Sequence, residues 1–424
     1  MKKDYILTFI TEFTILGSGL LVYRLAANIL GKEGFSEYAL VRRTISFLLP
    51  ALILGMGVAI PRYIGYSYSN FKKANTYFIA GFVILFFVIL IFSLLINLFQ
   101  KNAAFLFFGD SKYYYLIFPI NIMLIGLIFH SLCYGYFRGN LSMIKANFLQ
   151  LINMGIVPLL VFFLKNNLKE IILLNGLIII LVSFIFFTSI VKNIPFERNE
   201  IYTSTKELMA YGIQRVTGDF GLSGLFSLPS TITAHISGVT IAGYVAFGTS
   251  LLNMIGSAFS PLSLILLPKA CQLIANNDFK TLKYYILKIL KVTFILTIFG
   301  VAFFEIFVDK MIALYLGNFP SDLVMIARLI VIASLGYNVY VAMRSIIDAY
   351  YVKALNTKNI YISLIFFLTM SLGLILIKKD YKFLVANLVV SILFLGIMTL
   401  IEVKRLLNRN EFKYHILPSV STEH

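Results

Sequence analysis

Apolar stretches of about twenty residues follow one another along almost the whole chain, separated by short polar segments. A helix rising about 1.5 Å per residue needs roughly twenty such residues to cross the hydrocarbon core of a bilayer. The pattern predicts twelve spans, over 5–30, 38–62, 75–99, 113–137, 142–164, 170–191, 207–235, 240–267, 283–308, 322–350, 358–377 and 381–402. Strands of a membrane barrel would alternate over roughly ten residues instead, and that signature is missing. The longest connection runs from Lys192 to Lys206, too short for a soluble domain. The expected architecture is an all-α polytopic membrane protein.

Composition sharpens this reading. Of the 424 residues 59% are hydrophobic and 13% charged, and the mean hydropathy is +0.89, outside the soluble range. The formal charge of +17 does not point to nucleic acid, because the basic residues lie between spans and form no long run. They follow the positive-inside pattern: with the N-terminus inside, the cytoplasmic segments hold about twice as many Lys and Arg as the opposite ones. Both termini are therefore expected in the cytoplasm, and the leading MKKDY reads as the start of a retained first span. Cys133 and Cys271 sit in or beside spans and indicate no disulfide framework.

The two halves repeat. Ile60-Pro61-Arg62, then Asn70-Phe71-Lys72 and Tyr77, recur as Leu267-Pro268-Lys269, Asp278-Phe279-Lys280 and Tyr284-Tyr285. Tyr38 matches Tyr244, and Ser131 through Tyr136-Phe137 matches Ser345 through Tyr350-Tyr351. Six spans per half give both copies one orientation. The expectation is two six-helix lobes related by a pseudo-twofold axis along the membrane normal, with a binding cavity between them. The predicted boundaries are 1–195 for the N-terminal lobe, 196–206 for a cytoplasmic linker, 207–405 for the C-terminal lobe and 406–424 for a tail.

Charges inside spans are costly and single out candidate functional positions. Span seven opens on YGIQRVTGDFGLSGLF, residues 211–226, where Arg215 and Asp219 stand four apart among glycines. That spacing suits an intrahelical ion pair as well as a wall of a polar cavity. Arg344 and Asp348 repeat it near the inner end of span ten. Arg24, in span one, either faces the cavity and grips a phosphate or snorkels to the outer interface. Arg42 and Arg43 open span two at the outer rim, facing the cavity mouth or solvating a helix end, and Arg328 is similar. Glu12 could relay a proton, hold a cation or offset a cavity arginine. Its separation from Arg24, about 18 Å of helical rise, excludes a direct pair.

His130 and His235 stand alone, so no metal site is expected. Seven prolines in or beside spans (Pro50, Pro61, Pro119, Pro158, Pro229, Pro261 and Pro268) are expected kinks. The sequence holds no GxSxG, Walker A, HExxH or paired-carboxylate loop. Neither an enzyme nor a cofactor is expected.

Leu30-Gly31-Lys32-Glu33-Gly34-Phe35-Ser36-Glu37-Tyr38 resembles the LGxxxFGxY-type start of span two in bacterial polysaccharide and O-antigen flippases. Tyr211-Gly212-Ile213-Gln214-Arg215-Val216-Thr217-Gly218-Asp219 resembles their YGxPRxPGD segment, with Gln214 and Thr217 in place of its prolines, so a straighter helix is expected. Those proteins belong to the multidrug/oligosaccharidyl-lipid/polysaccharide exporter superfamily. The resemblance implies a cationic central cavity in a bacterial cytoplasmic-membrane protein. It also implies alternating access that carries an undecaprenyl-diphosphate-linked oligosaccharide from the inner to the outer leaflet. Arg215 and Asp219 take the family's span-seven positions, Arg24 follows its general basic pattern in span one, and Arg42 and Arg43 join the candidate substrate-binding set. Glu12 and Asp219 are candidates for ion or proton coupling. Partners would be the lipid-linked oligosaccharide, membrane lipids and the pathway's polymerase and glycosyltransferases. The rival readings are a cation-coupled drug exporter, a membrane-embedded polymerase or ligase, and an uncoupled scramblase.

Overall fold

The computed structural model describes the backbone of residues 2–67, 70–192, 195–275, 278–317, 319–351, 354–377 and 380–408. The tail from 409 onward lies outside the described residues. So do the side chains of Lys2, Lys3, Pro261, Leu267, Pro268, Lys269 and Cys271, which bear on the charge bias, kinks, repeat and thiols above. Among the described residues every regular element is helical.

The chain crosses back and forth twelve times, so the predicted spans are present as helices, several of them longer than expected. The first two join in one unbroken run of helix, Lys2–Ile53, turned at Gly31 (φ 67°, ψ −170°), and Met56–Tyr66 completes the second span. Phe71–Leu98, Ile117–Gly139, a helix over 143–164 and Leu168–Val191 follow. Span seven begins at Ile201, and it runs into span eight through Gly238 (φ 80°, ψ 171°), ending at Ala275. Phe279–Leu316, the bent pair Ser321–Ile332 and Ser334–Tyr350 (42°), Leu355–Ile377 and Tyr381–Leu407 complete the set. The face carrying residue 2 and the 192–200 connection is called here the linker face. The opposite one, carrying Gly31 and Gly238, is the hinge face.

The internal repeat extends to backbone geometry. Gly31 and Gly238 turn the chain between spans one and two and between spans seven and eight, and Gly109 (φ 74°) and Gly317 (φ 85°) follow spans three and nine. Only glycine adopts such torsions without strain. The repeated Asn70 and Asp278 do matching work: each side chain accepts the backbone N–H three residues on, from Lys73 at 3.2 Å and Thr281 at 3.0 Å. Both cap the helix that opens the third span of its half.

Among the described residues the breaks in helical torsion fall not at prolines but at Gly31, Leu54–Gly55 and Gly238. Membrane helices absorb a proline through local adjustment, whereas a left-handed residue redirects the chain. A π-turn at Leu151–Ile156, directly before Pro158, aims Asn153 into the N-terminal lobe. There its Nδ2 contacts His130 Nδ1 (3.1 Å) and donates to Ser183 Oγ (3.0 Å). His130 is thus a buried structural residue of that lobe.

The lobes meet along a seam of spans one, two, seven and eight. At the hinge face, span two crosses span eight so closely that a Cβ on Gly243 would lie 2.3 Å from Ser36 Cα. Toward the linker face, span two breaks at Leu54–Gly55 where it meets span seven. A Cβ on Gly55 would come 2.3 Å from Gly212 O, and one on Gly212 would come 2.4 Å from Leu54 O. Small residues let membrane helices touch backbone to backbone. Span seven itself runs without interruption from Ile201 to Gly238, as the replacement of two prolines by Gln214 and Thr217 leads one to expect.

Candidate functional site

Above Gly212, toward the hinge face, arginines and hydroxyl-bearing side chains of spans one, two, seven, eight and ten gather at the lobe seam. The cluster is built on span two. Because that span begins immediately after Gly31, Arg42 and Arg43 stand about 15 Å along it rather than at its rim. Arg43 is only 6% exposed. Its Nη2 donates to Ser250 Oγ of span eight at 2.7 Å, and the Tyr23 hydroxyl donates to the same oxygen at 2.9 Å. The ring of Phe226 lies 5.9 Å from the guanidinium, and Ser227 Oγ donates to the Arg43 carbonyl at 3.3 Å. Ser250 and Phe226 of the C-terminal lobe thus hold this N-terminal-lobe side chain across the seam, yet its Nε is buried without a hydrogen-bond partner. Half-buried Arg42 lies over the rings of Tyr23 (5.0 Å) and Tyr38 (6.0 Å).

Aromatic rings seal the seam between this pair and the hinge face. Phe35 packs edge-on against Tyr23, Phe247 and Phe319, with centroids 5.1–6.0 Å apart. The Tyr315 hydroxyl donates to the Leu20 carbonyl, tying span nine to span one. The side facing the linker is different. Arg215, Asp219, Arg344 and Asp348 are all exposed there.

Among the described residues Arg215 and Asp219 form no ion pair within 4.0 Å. Among the same residues Asp219 and Arg344 of span ten form none either. Asp348 accepts from Asn356 Nδ2 at 2.8 Å. Arg215 itself lies 5.4 Å from the Tyr211 ring. This stretch of the seam therefore carries four guanidinium groups, Arg42, Arg43, Arg215 and Arg344, beside the carboxylates of Asp219 and Asp348.

Three further sequence candidates remain. Arg24 is exposed on the stripe of span one that carries Phe13, Leu20 and Leu21, and it shares Tyr315 as a neighbour with Arg42. Glu12 accepts from Gln150 Nε2 at 2.9 Å, facing span five rather than the arginines of span two. Arg328 is held at the other side of the C-terminal lobe by Glu305 (3.5 Å) and Asp309 (2.5 Å). Sequence reasoning did not pick out Ser250 or the tyrosines beside the arginines (Tyr23, Tyr315, Tyr337 and Tyr340), and marked Tyr38 only as a repeat position. Their only sequence signal is hydroxyl-bearing residues on the helix faces that the arginines occupy.

No family model and no curated protein matches the sequence. Solved structures do match. The inward closed conformation of the lipid II flippase MurJ superposes with a TM-score of 0.75 at 16% identity, over 94% of this chain and 87% of that one. An inward-facing multidrug resistance MATE family transporter of the MOP superfamily gives 0.70 at 14% identity, over 95% and 98%. The eukaryotic MATE transporter AtDTX14 gives 0.69 at 13%, over 95% of each chain. At such identities the likeness speaks for the fold: this multi-pass membrane protein has the two-lobed, twelve-helix architecture of the MATE and MurJ transporters.

Proposed function

We propose that the protein is a flippase for a lipid-linked oligosaccharide whose anionic phosphate linker passes along the guanidinium groups at the lobe seam. The observation that carries this reading is Arg43: buried at the lobe seam, held across it by Ser250, and with Nε unpartnered. A buried donor without a partner costs about 1–3 kcal/mol, which a phosphate oxygen would recover. A diphosphate cannot enter hydrocarbon bare; planar guanidinium forks replace its water while a prenyl tail stays in lipid. The shared fold of a lipid II flippase supports the same class of cargo.

On this reading the linker face is cytoplasmic, the membrane is the bacterial cytoplasmic membrane, and the sealed hinge face opens after loading. Arg42, Arg43, Arg215 and Arg344 contact the anionic linker. Asp219 is the carboxylate placed to couple transport to a cation or proton. Undecaprenyl diphosphate is the carrier that the sequence resemblance favours. The drug-exporter alternative draws on the likeness to MATE transporters, but a cationic drug would meet twice as many guanidinium groups as carboxylates.

The test is protein in liposomes with a fluorescent undecaprenyl-diphosphate oligosaccharide, its leaflet followed by a membrane-impermeant quencher. Protein-dependent movement that Arg43→Glu abolishes is expected. Equal movement in protein-free liposomes, or efflux of a cationic dye in place of the lipid, would reject the proposal.

A further inference from the structure

A polar cavity of about 480 Å³ lies on the linker face, apart from the arginine cluster at the seam. It is lined by Tyr63, Tyr66, Ser67, Asn70, Lys73 and Tyr77 of spans two and three and by Glu207 at the start of span seven. It therefore straddles the seam. Its volume falls in the range of small-molecule sites, about 300–1,000 Å³.

The lining is specific in kind. Tyr63 and Tyr77 pack with ring centroids 4.9 Å apart, and Tyr66 stays 74% exposed. The Tyr77 hydroxyl donates to Glu207 Oε2, which fixes the carboxylate across the lobes. Asn70 spends its carbonyl oxygen on the helix cap, so its amide N–H groups remain as donors. Lys73 forms no ion pair within 4.0 Å among the described residues. Aromatic faces ringed by amide, hydroxyl, ammonium and carboxylate groups match a pyranose, whose C–H face is apolar and whose rim is hydroxyl. An organic cation is a poorer match. Arg62 already lies over Tyr66 (5.3 Å) and Tyr211 (4.4 Å), and with Lys73 it outweighs the single carboxylate.

The pocket is also wired to the seam arginines. Glu207, Tyr211, Arg215 and Asp219 follow one another at four-residue intervals along span seven, so they form one slowly turning stripe. Glu207 faces the pocket. The Tyr211 hydroxyl accepts from Arg62 Nη1 at 2.8 Å, and the same ring meets Arg215 at 5.4 Å. Asp219 ends the stripe beside the seam arginines.

We propose that this pocket is a carbohydrate subsite that holds a sugar ring of the cargo's head group on the loading side. The idea rests on the flippase reading above for its cargo, but the pocket is testable without transport. The chain contains no Trp, so Tyr66→Trp places a single indole reporter at an exposed position. The emission of the purified full chain is titrated with N-acetylglucosamine, glucuronate and choline. A saturable change with either sugar, half-complete at about 1–10 mM, is expected, and Lys73→Ala added to the reporter should weaken it about tenfold. In parallel, saturation-transfer NMR on the unmodified protein should show transfer to the same sugars.

A response to choline alone, or silence in both measurements, overturns the subsite. A flat titration in a protein that still moves lipid-linked oligosaccharide removes the pocket and leaves the flippase. Saturable sugar binding in a protein that moves none does the reverse.

Discussion

The two ends of the lobe seam are built from different materials. Toward the hinge face, Tyr23, Phe35, Phe247 and Phe319 interlock above a crossing where Gly243 lets span eight rest on Ser36. Toward the linker face the seam is pinned at one point, Gly55 on Gly212, and beyond it stand exposed Arg215, Asp219, Arg344 and Asp348. Ring packing is short-ranged and apolar, so it can part without stranding a charge. Ionised groups have to keep water or a counter-ion at every stage. The difference teaches that the two ends resist separation differently: one is closed by apolar contacts, while the other carries ionised groups whose desolvation is costly.

The largest expected effect tests the charge that sits where the two materials meet. Arg43→Glu should lower transport at least about a hundredfold, a change of about 3 kcal/mol, while Arg43→Lys, which keeps charge but loses the planar fork, should retain a fraction. Both are read in the liposome assay. Next comes the seal itself. Gly243→Val forces atoms into a gap of 2.3 Å at Ser36 Cα. It should therefore make a cysteine placed at Ser250 react faster with a membrane-impermeant maleimide than the same cysteine in the parent.

Gly212→Val tests the opposite end. It wedges the Leu54 carbonyl, and should lower the thermal midpoint in detergent through a cost of about 1–3 kcal/mol without exposing Ser250. The smallest effect belongs to Arg328→Ala. That arginine faces Glu305 and Asp309 outside the seam, where partly exposed pairs contribute about 0–1 kcal/mol, so transport should be unchanged. If Arg328→Ala stopped transport as Arg43→Glu does, the contrast between seam and peripheral arginines would fail.

Hydropathy made the twelve crossings legible, since nothing else in a bilayer satisfies so long an apolar run. Their boundaries were less so. Glu33, Glu37, Arg42 and Arg43 interrupt the apolar pattern near the start of span two, which makes a buried segment look like a connection. The structure shows helix from just past Gly31, where Glu33 is exposed and Tyr115, Tyr23 and Ser250 meet Glu37, Arg42 and Arg43. Arg215 and Asp219 announced themselves as polar groups in an apolar stretch. How span ten brings Arg344 to this side of the seam depends on packing, which periodicity does not encode. The break at Gly55 is hidden in the apolar run LILGMG, where only the glycines hint that two backbones meet.

Gly31 and Gly238 have no neighbouring atom within 4 Å of where a side chain would begin, unlike Gly55 and Gly243, which are hemmed in by backbone. These two corners are therefore the places where the chain tolerates added length. A peptide tag or fluorophore grafted at either corner would hang outside the bundle, offering two handles, one per lobe, for watching the halves swing against each other.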